Sequence, residues 1–246
     1  AAGLGARAAR GAARVPTRER AGVRSGALDG RLGGTGYPDR EGIIGDNESR
    51  EPGTAALFGR CRDDPRVRIG PVPGAFNFSD LSNRGAAAAT GAVLLFLNND
   101  IEVLEPGWLA ELVRHAVRPE IGAVGAKLLY PDHTIQHGGI VLGIGGVAGH
   151  SHLGVADADP GYFCRMVIAH EVSAVTGACL AMRADVFTEV GGFDARALKV
   201  AFNDVDLCLK IRRAGYRIVW TPFAKLIHHE SKSRGAEDTP EKQRRF

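Results

Sequence analysis

Residues 91–100 read GAVLLFLNND. Val93 to Leu97 is an unbroken apolar run, and it passes without a spacer into two amides and a carboxylate, Asn98, Asn99 and Asp100. A half-exposed strand alternates polar and apolar residues. A run with no polar member is expected of a strand covered on both faces, the habit of parallel sheets flanked by helices. In open parallel sheets, ligands bind beyond the carboxyl ends of the strands. The polar triplet therefore has two readings. It is a binding site, where the carboxylate holds a hard cation and the amides hydrogen-bond a sugar or a base, or it is ordinary turn chemistry.

Strand and helix patterns alternate on both sides of this stretch. EGIIGDNES (41–49), RVRIG (66–70), EIGAVGAKLLY (120–130), EVSAVTGACLAMR (171–183) and YRIVWTP (216–222) read as strands. Between them, DLSNRGAAAAT (80–90) reads as a helix capped by Ser79 or Asp80. In PGWLAELVRHAV (106–117), Pro106 suits a first turn, and Trp108, Leu109, Leu112, Val113 and Ala116 form one apolar stripe. ADVFTEVGG (184–192) is a short helix stopped by Gly191 and Gly192. The alternation predicts an α/β domain with a mostly parallel central sheet flanked by helices. Residues 1–14, AAGLGARAARGAAR, are low in complexity and are expected to be poorly ordered. The first third is weaker than the rest, because Gly42 and Gly45 fall inside a strand pattern.

Composition narrows the function. The chain has 246 residues, is 44% hydrophobic and carries a formal net charge of +3. That balance is too mild for a dedicated nucleic-acid binder, and no nucleic-acid partner is expected. Cys61, Cys164, Cys179 and Cys208 are far apart and form neither a disulfide framework nor a zinc ribbon, which suits a reducing cytoplasm. No apolar run is long enough to span a membrane, and the Ala/Arg/Gly-rich start lacks the apolar core of a secretory signal.

Three further stretches carry chemistry. In FNDVDLCLKIRRAGY (202–216), Asn203 is a good N-cap with Asp206 three residues on, a capping-box-like arrangement. Asp206, Lys210 and Arg213 share one solvated face, whereas Asp204 shares its face with Leu207, Cys208 and Ile211. A carboxylate at the edge of a buried face is either a general base beside a substrate or a cap for first-turn N–H groups. In LIHHES (226–231), adjacent histidines point to opposite sides, and one of them is either a metal ligand or a surface residue. In VTGACLAMR (175–183), Thr176, Gly177 and Ala178 interrupt an apolar strand with small residues, which marks close approach of a ligand or a bulge.

In their order along the chain these pieces resemble family 2 glycosyltransferases, inverting nucleotide-sugar enzymes with the GT-A fold. The nearest likeness is to rhamnosyltransferase-like enzymes of bacterial surface polysaccharides. It is carried by VPTRER (15–20), IIGDNES (43–49), FNFSDLSNRGAAAATGAVLLFLNNDIEV (76–103), VSAVTGACLAMR (172–183), GGFDA (191–195), FNDVDLCLKIRRAGYRIVWTP (202–222) and HHESKSRG (228–235). The resemblance implies a GT-A domain over 15–235, with a Rossmann-like nucleotide-binding part over about 15–103 and an acceptor and catalytic part over about 104–235. Residues 236–246 would begin a helical region that family members continue, so the chain reads as truncated at its C-terminus. It implies that Thr17 and Asp46 frame the base and ribose, that Asn83 and Arg84 flank the nucleotide, and that Asn98-Asn99-Asp100 replaces an Asp-x-Asp motif. Asp100 and His228, rather than His229, would hold Mg²⁺ or Mn²⁺ against the diphosphate. Asp204 would be the general base, and Thr176 and Gly177 would line the sugar pocket. The implied partners are a UDP, dTDP or GDP sugar and a saccharide or lipid-linked acceptor. The implied location is the cytoplasm, with peripheral contact at the inner face of the plasma membrane if the acceptor is a lipid.

The chain departs from the family pattern at three points. Asn98 stands where a first aspartate is usual, Glu48 stands where a turn usually has glycine, and GAARV (11–15) is a poor first strand. These departures keep open an impaired nucleotide-binding fragment beside the working enzyme. Two other readings are weaker. Gly143 to Ala148 formally fits the dinucleotide pattern G-x-G-x-x-A, but GHSHLGVADADPG (149–161) cannot supply the helix that pattern needs, so 138–149 reads as a glycine-rich loop or hairpin. His133 with His137, or His150 with His152, suggest a metal hydrolase, yet neither pair has a recognised zinc spacing.

Overall fold

The computed structural model describes residues 11–17, 37, 39–49 and 52–229, with the side chains of 11–17 and 52 left aside. Strand β1 covers Gly11–Thr17 and β2 Arg40–Asp46. Helix α1 covers Pro52–Arg62, β3 Val67–Pro71, α2 Phe78–Ala88, β4 Val93–Leu97 and β5 Ile101–Val103. Then follow α3 at Trp108–Ala116, β6 at Ile121–Leu129, β7 at Ile135–His137, β8 at Ile140–Leu142, β9 at Ala148–His150 and β10 at His170–Glu171. The last elements are β11 at Cys179–Arg183, α4 at Ala184–Glu189, α5 at Asn203–Arg213 and β12 at Arg217–His228. β1 begins before Val15, so Gly11–Arg14 belong to the sheet rather than to a poorly ordered segment. Residues 1–10, the glycine-broken stretch at 22–34 and the segment 236–246 lie outside the described residues.

The strands lie in the order β10-β12-β6-β11-β4-β1-β2-β3. β3, β2, β1 and β4 are mutually parallel, as are β6 and β12. β11 runs antiparallel to both β4 and β6, so the two parallel groups point the same way and bring their carboxyl ends to one edge. The body of the sheet is thus mostly parallel, with β11 reversed at its centre and the short strands β10, β5 and β7 antiparallel at its margins.

The apolar run of β4 explains the layering. Side chains alternate across a strand. Val93, Leu95 and Leu97 enter a core against α3, where Trp108, Leu109, Leu112, Val113 and Ala116 are all buried. Leu94 and Phe96 enter the opposite core with Phe187 and Phe193 and with Leu207, Cys208 and Ile211 of α5. Burial also pushes the Cys208 thiol up to about 12, which fits a small core residue with no ionised role.

Two helix starts differ from expectation. α2 is capped by Asn77, whose Oδ1 accepts from the Asp80 N–H at 3.0 Å. Ser79 instead donates to the Leu198 carbonyl and accepts from Asn203 Nδ2 at 3.0 Å. α5 starts from Phe202 in the left-handed region, φ 55°, so Asn203 is the first helical residue and is buried. The capping-box reading of Asn203 and Asp206 is therefore corrected: Asn203 ties α5 to α2, and Asp206 pairs with Lys210 at 3.0 Å. At the end of α4, Gly191 (φ 78°) and Gly192 (φ 64°) stop the helix as read from the sequence. Gly192 has a second reason to be glycine, since a Cβ there would come within 2.8 Å of Asn83 Oδ1.

Candidate active site

Asn98, Asn99 and Asp100 leave the carboxyl end of β4, and the chain turns at once into β5. β5 pairs antiparallel with the end of β12, setting Ile101 opposite His228. That pairing draws Asp100 to His228, and Asp100 Oδ1 lies 3.0 Å from His228 Nε2. His229 points the other way and meets Glu102 at 2.7 Å. Asn98 Nδ2 lies 3.3 Å from the same His228 Nε2.

The other ring nitrogen decides the tautomer. His228 Nδ1 lies 2.7 Å from Oε1 of Gln136, and both residues are buried. An amide oxygen only accepts, so Nδ1 carries the proton and the Nε2 lone pair faces Asn98 and Asp100. Two acceptors, Nε2 and a carboxylate oxygen, then face one another at 3.0 Å. A cation or a shared proton reconciles them. Adjacent ligands about 2.1 Å from an octahedral metal are themselves roughly 3 Å apart, so the spacing fits Mg²⁺ or Mn²⁺. Among the described residues, no three His, Cys, Asp or Glu side chains gather around one point. Asp100 and His228 would therefore hold the ion together with oxygens of a bound phosphate, as Mg²⁺ sites commonly do.

Asp204 joins this centre through the loop before β11. Its Oδ2 accepts the Gly177 N–H and its Oδ1 the Val205 N–H, each at 2.9 Å. The carbonyl of the following residue, Ala178, accepts the Asn98 N–H at 2.9 Å. Thr176 on the other side donates its N–H to His137 Nε2 at 3.4 Å. Three residues thus tie α5, β4 and β7 together. The loop is pressed onto the sheet where β6 has Gly125, since a Cβ there would lie 2.5 Å from Val175. Gly177 itself leaves ordinary contact distance, 3.5 Å, to Asp204 Cβ and to the Phe78 ring.

The remaining predicted residues fall in two groups. Thr17 and Asp46 stand opposite each other at the carboxyl ends of β1 and β2, on the same sheet edge as Asn98. Asp46 Oδ1 accepts the Ser49 N–H at 3.0 Å, and Asn47 donates to the Val72 and Gly74 carbonyls. Glu48 sits in that turn at φ 57°, the left-handed conformation expected of the glycine it replaces. Asn83 and Arg84 make contacts within the fold. Both amide atoms of Asn83 bond the backbone of Phe193, at 2.8 and 3.0 Å, and Arg84 pairs with Asp80 at 2.8 Å on the surface. Asn83 holds the GGFDA turn in place.

Sequence reasoning passed over two polar clusters. Gln136, which orients His228, is one. The other is Lys127, buried, paired with Asp157 at 2.8 Å, while Lys225 meets the same carboxylate at 2.6 Å. Burial alone would raise the Asp157 pKa; the two ammonium groups outweigh it and hold the carboxyl below its ordinary value. His137 and His150 meet edge to face with Nδ1 atoms 2.8 Å apart. Burial, with His150 and His228 nearby, holds His137 well below the imidazole range, so it is neutral at pH 7. His133 lies in a turn and His137 in β7, which removes the helical pairing a metal hydrolase would need. Gly143 to Val147 forms the turn of the β8–β9 hairpin and Ala148 begins β9, so the stretch is not a dinucleotide loop.

Residues 38–245 match the sequence model described as "Glycosyltransferase like family 2". The chain belongs to that family. Among relatives of this family 2 chain, the uncharacterized protein y4gI of Sinorhizobium fredii is 49% identical over 233 residues, covering 94% of this chain and 26% of that protein. The O-antigen biosynthesis protein RfbC of Myxococcus xanthus is 41% identical over 228 residues, covering 92% of this chain and 18% of that protein. The family 2 chain thus spans about a quarter or less of the length of these relatives. In fold it is similar to the Pyrobaculum calidifontis mannosyltransferase PcManGT in complex with GDP-Man and Mn²⁺, with TM-score 0.62 and 18% identity over 90% of this chain and 57% of that one. It is also similar to GalNAc-T7 with UDP, GalNAc and Mn²⁺, with TM-score 0.72 and 14% identity over 91% of this chain and 44% of that one. The fold of the family 2 chain is therefore the GT-A fold of these glycosyltransferases.

Proposed function

We propose that this chain is the catalytic domain of an inverting glycosyltransferase that moves a sugar from a UDP, dTDP or GDP donor to a hydroxyl of a saccharide or lipid-linked acceptor in surface-polysaccharide synthesis, at the cytoplasmic face of the membrane. The observation that carries the reading is the Thr176–Ala178 loop, which bonds Asp204 through Gly177 and Asn98 through Ala178. A lone carboxylate and a metal-competent pair are thereby set on two sides of one loop at the carboxyl edge of the sheet, where α/β proteins bind ligands.

In this mechanism the acceptor hydroxyl gives its proton to Asp204 as its oxygen bonds the anomeric carbon. The bond from that carbon to the donor phosphate oxygen breaks, and the nucleoside diphosphate leaves with the electron pair. Attack opposite the leaving group inverts the configuration. Asp100 and His228 would hold a divalent cation, which when bound would supply positive charge to the departing diphosphate. Asp204 is kept in place by the Gly177 and Val205 N–H groups, one on each oxygen, and each oxygen keeps a second lone pair for the acceptor. Thr17 and Asp46 frame the base and ribose from the ends of β1 and β2, in the part spanning about 15–103, and the acceptor docks on the part spanning 104–235.

A second reading, a nucleotide-binding fragment that has lost turnover, is favoured by Glu48, a left-handed carboxylate in the turn beside Asp46. Calorimetric titration of UDP, dTDP and GDP, with and without Mn²⁺, tests the site common to both readings. Wild type is expected to bind one nucleotide in a Mn²⁺-dependent way and Asp100→Ala to lose the Mn²⁺ dependence. Equal binding with and without Mn²⁺ in wild type would overturn the metal assignment.

A further inference from the structure

A cavity of about 420 Å³ opens beside the site, and neither Asp100, His228 nor Asp204 lines it. Two chain segments lead from the site into its wall. Gly138 and Gly139 follow directly on His137, and Val172 and Ser173 precede the Thr176–Ala178 loop. The cavity is cationic. Arg165 and Arg212 both line it, and among the described residues neither has an ion-pair partner. His152 and His170 line it as well. Burial lowers the proton affinity of His170, and the charges of Arg165 and His152 lower it further. Among the described residues the one carboxylate in the wall, Glu171, lies 3.9 Å from Arg217. Two guanidinium groups that pair with no described carboxylate, set in a concave wall, are the recognition chemistry of phosphate.

The rim of the cavity is apolar and exposed. Tyr162 lines it yet is 72% exposed, and Phe163, in edge contact with Tyr162, is 81% exposed. Phe163 is also held at φ 51°, a conformation bulky residues avoid and one that concentrates at binding sites. On the other side Val141 lines the cavity, and the β8–β9 hairpin continues its surface with Leu142, Ile144 and Val147 in solvent. An exposed apolar patch of this kind marks an interaction surface. Its position against a phosphate-type pocket selects an amphiphile. Arg212 shares α5 with Asp204, eight residues away. At 1.5 Å per residue the two lie about 12 Å apart along the helix, which leaves room for sugar between a reacting hydroxyl and a phosphate.

We propose that this cavity is the subsite for the phosphate or diphosphate of a lipid-linked acceptor, whose hydrocarbon tail lies on Tyr162, Phe163 and the β8–β9 hairpin. The identification of the ligand as acceptor rests on the glycosyl-transfer reading; the binding itself does not. The test is calorimetric titration of the purified chain with farnesyl phosphate below its micelle concentration, farnesol and inorganic phosphate, with UDP and Mn²⁺ as an independent readout. Farnesyl phosphate is expected to bind more tightly than either of the other two. The double variant Arg165→Ala, Arg212→Ala is expected to weaken it about tenfold to hundredfold, the range for loss of charge-assisted hydrogen bonds. Tyr162→Ser with Phe163→Ser should weaken farnesyl phosphate and leave inorganic phosphate unchanged. All four side chains are exposed, and unchanged thermal unfolding and UDP binding verify that the variants fold. Farnesol binding as tightly as farnesyl phosphate, or an arginine variant with wild-type affinity, overturns the anion subsite. Inorganic phosphate binding as tightly as farnesyl phosphate overturns the tail surface. Farnesyl phosphate binding without any nucleotide binding supports the subsite while sinking the glycosyl-transfer reading.

Discussion

Gln136→Met isolates the role of the residue behind His228. The exchange nearly conserves volume and removes the one acceptor that holds His228 Nδ1 at 2.7 Å. Gln136 is 3% exposed and His228 7%, so water cannot replace the lost partner. Two effects follow. Leaving a buried N–H unsatisfied costs about 1–3 kcal/mol of stability. Loss of the outer partner of a metal-bound histidine lowers metal affinity about 10- to 100-fold, or roughly 1.4–2.7 kcal/mol. The assay is Mn²⁺ titration followed by electron paramagnetic resonance in the presence of saturating nucleotide, beside urea unfolding of the apo protein. Gln136→Glu retains an acceptor at the same reach and should keep Mn²⁺ affinity near wild type. Wild-type Mn²⁺ affinity in a folded Gln136→Met variant would refute the reasoning, because the tautomer would then not depend on Gln136.

Three further outcomes are expected. Leu112→Ala empties a fully buried position between α3 and the sheet and should cost about 2–5 kcal/mol in urea unfolding, with nucleotide affinity retained in the folded fraction. Glu48→Gly relieves a left-handed residue and should stabilise the domain by up to about 1 kcal/mol while tightening nucleotide-diphosphate binding, as read by thermal unfolding with and without nucleotide. Asp157→Asn leaves Lys127 buried without its carboxylate and should cost about 3 kcal/mol, the low end for breaking a buried pair because Asp157 keeps some solvent contact. The folded-state pKa of Asp157 is depressed, so its contribution is present above the unfolded carboxylate value of about 3.9 and is lost as pH falls through the folded value. The urea midpoint of wild type should begin to drop as pH falls below about 5 and go on falling through the folded value, and the slope should flatten in Asp157→Asn.

The parts of the molecule that were legible in the sequence are those set by local periodicity. The α3 stripe needed only a 3.6-residue repeat, and all five of its members are buried. The β4 run needed only its lack of polar residues. The direction of β11 was not legible, because an apolar run reads the same either way and its reversal is set by the partners on both sides. Helix caps went astray where several cap-competent residues lie together. Ser79 and Asn203 are spent on each other across 124 positions of sequence, which leaves the cap of α2 to Asn77 and the start of α5 to Phe202. At the site, adjacency was enough to send His228 and His229 to different sides, but the choice of His228 came from the family resemblance. Gln136 was hidden, since a polar residue between Ile135 and His137 announces nothing until β7 folds beside β6 and faces β12. The Lys127–Asp157–Lys225 cluster was hidden for the same reason: a lysine inside an apolar strand gains its partner only from a loop 30 residues away.

Turnover of a panel of UDP, dTDP and GDP sugars with Mn²⁺, comparing wild type with Asp204→Asn, tests the central claim most directly. The exchange removes the charge of Asp204 and gives up the local Val205 N–H contact but keeps an oxygen for the Gly177 N–H, so the loop and the nucleotide site should stay intact. The account predicts turnover of at least one donor by wild type. In the variant it predicts a fall in kcat of about 10²- to 10⁴-fold, the usual contribution of a general base, with nucleotide affinity unchanged. A variant that turns over donor at the wild-type rate would contradict it.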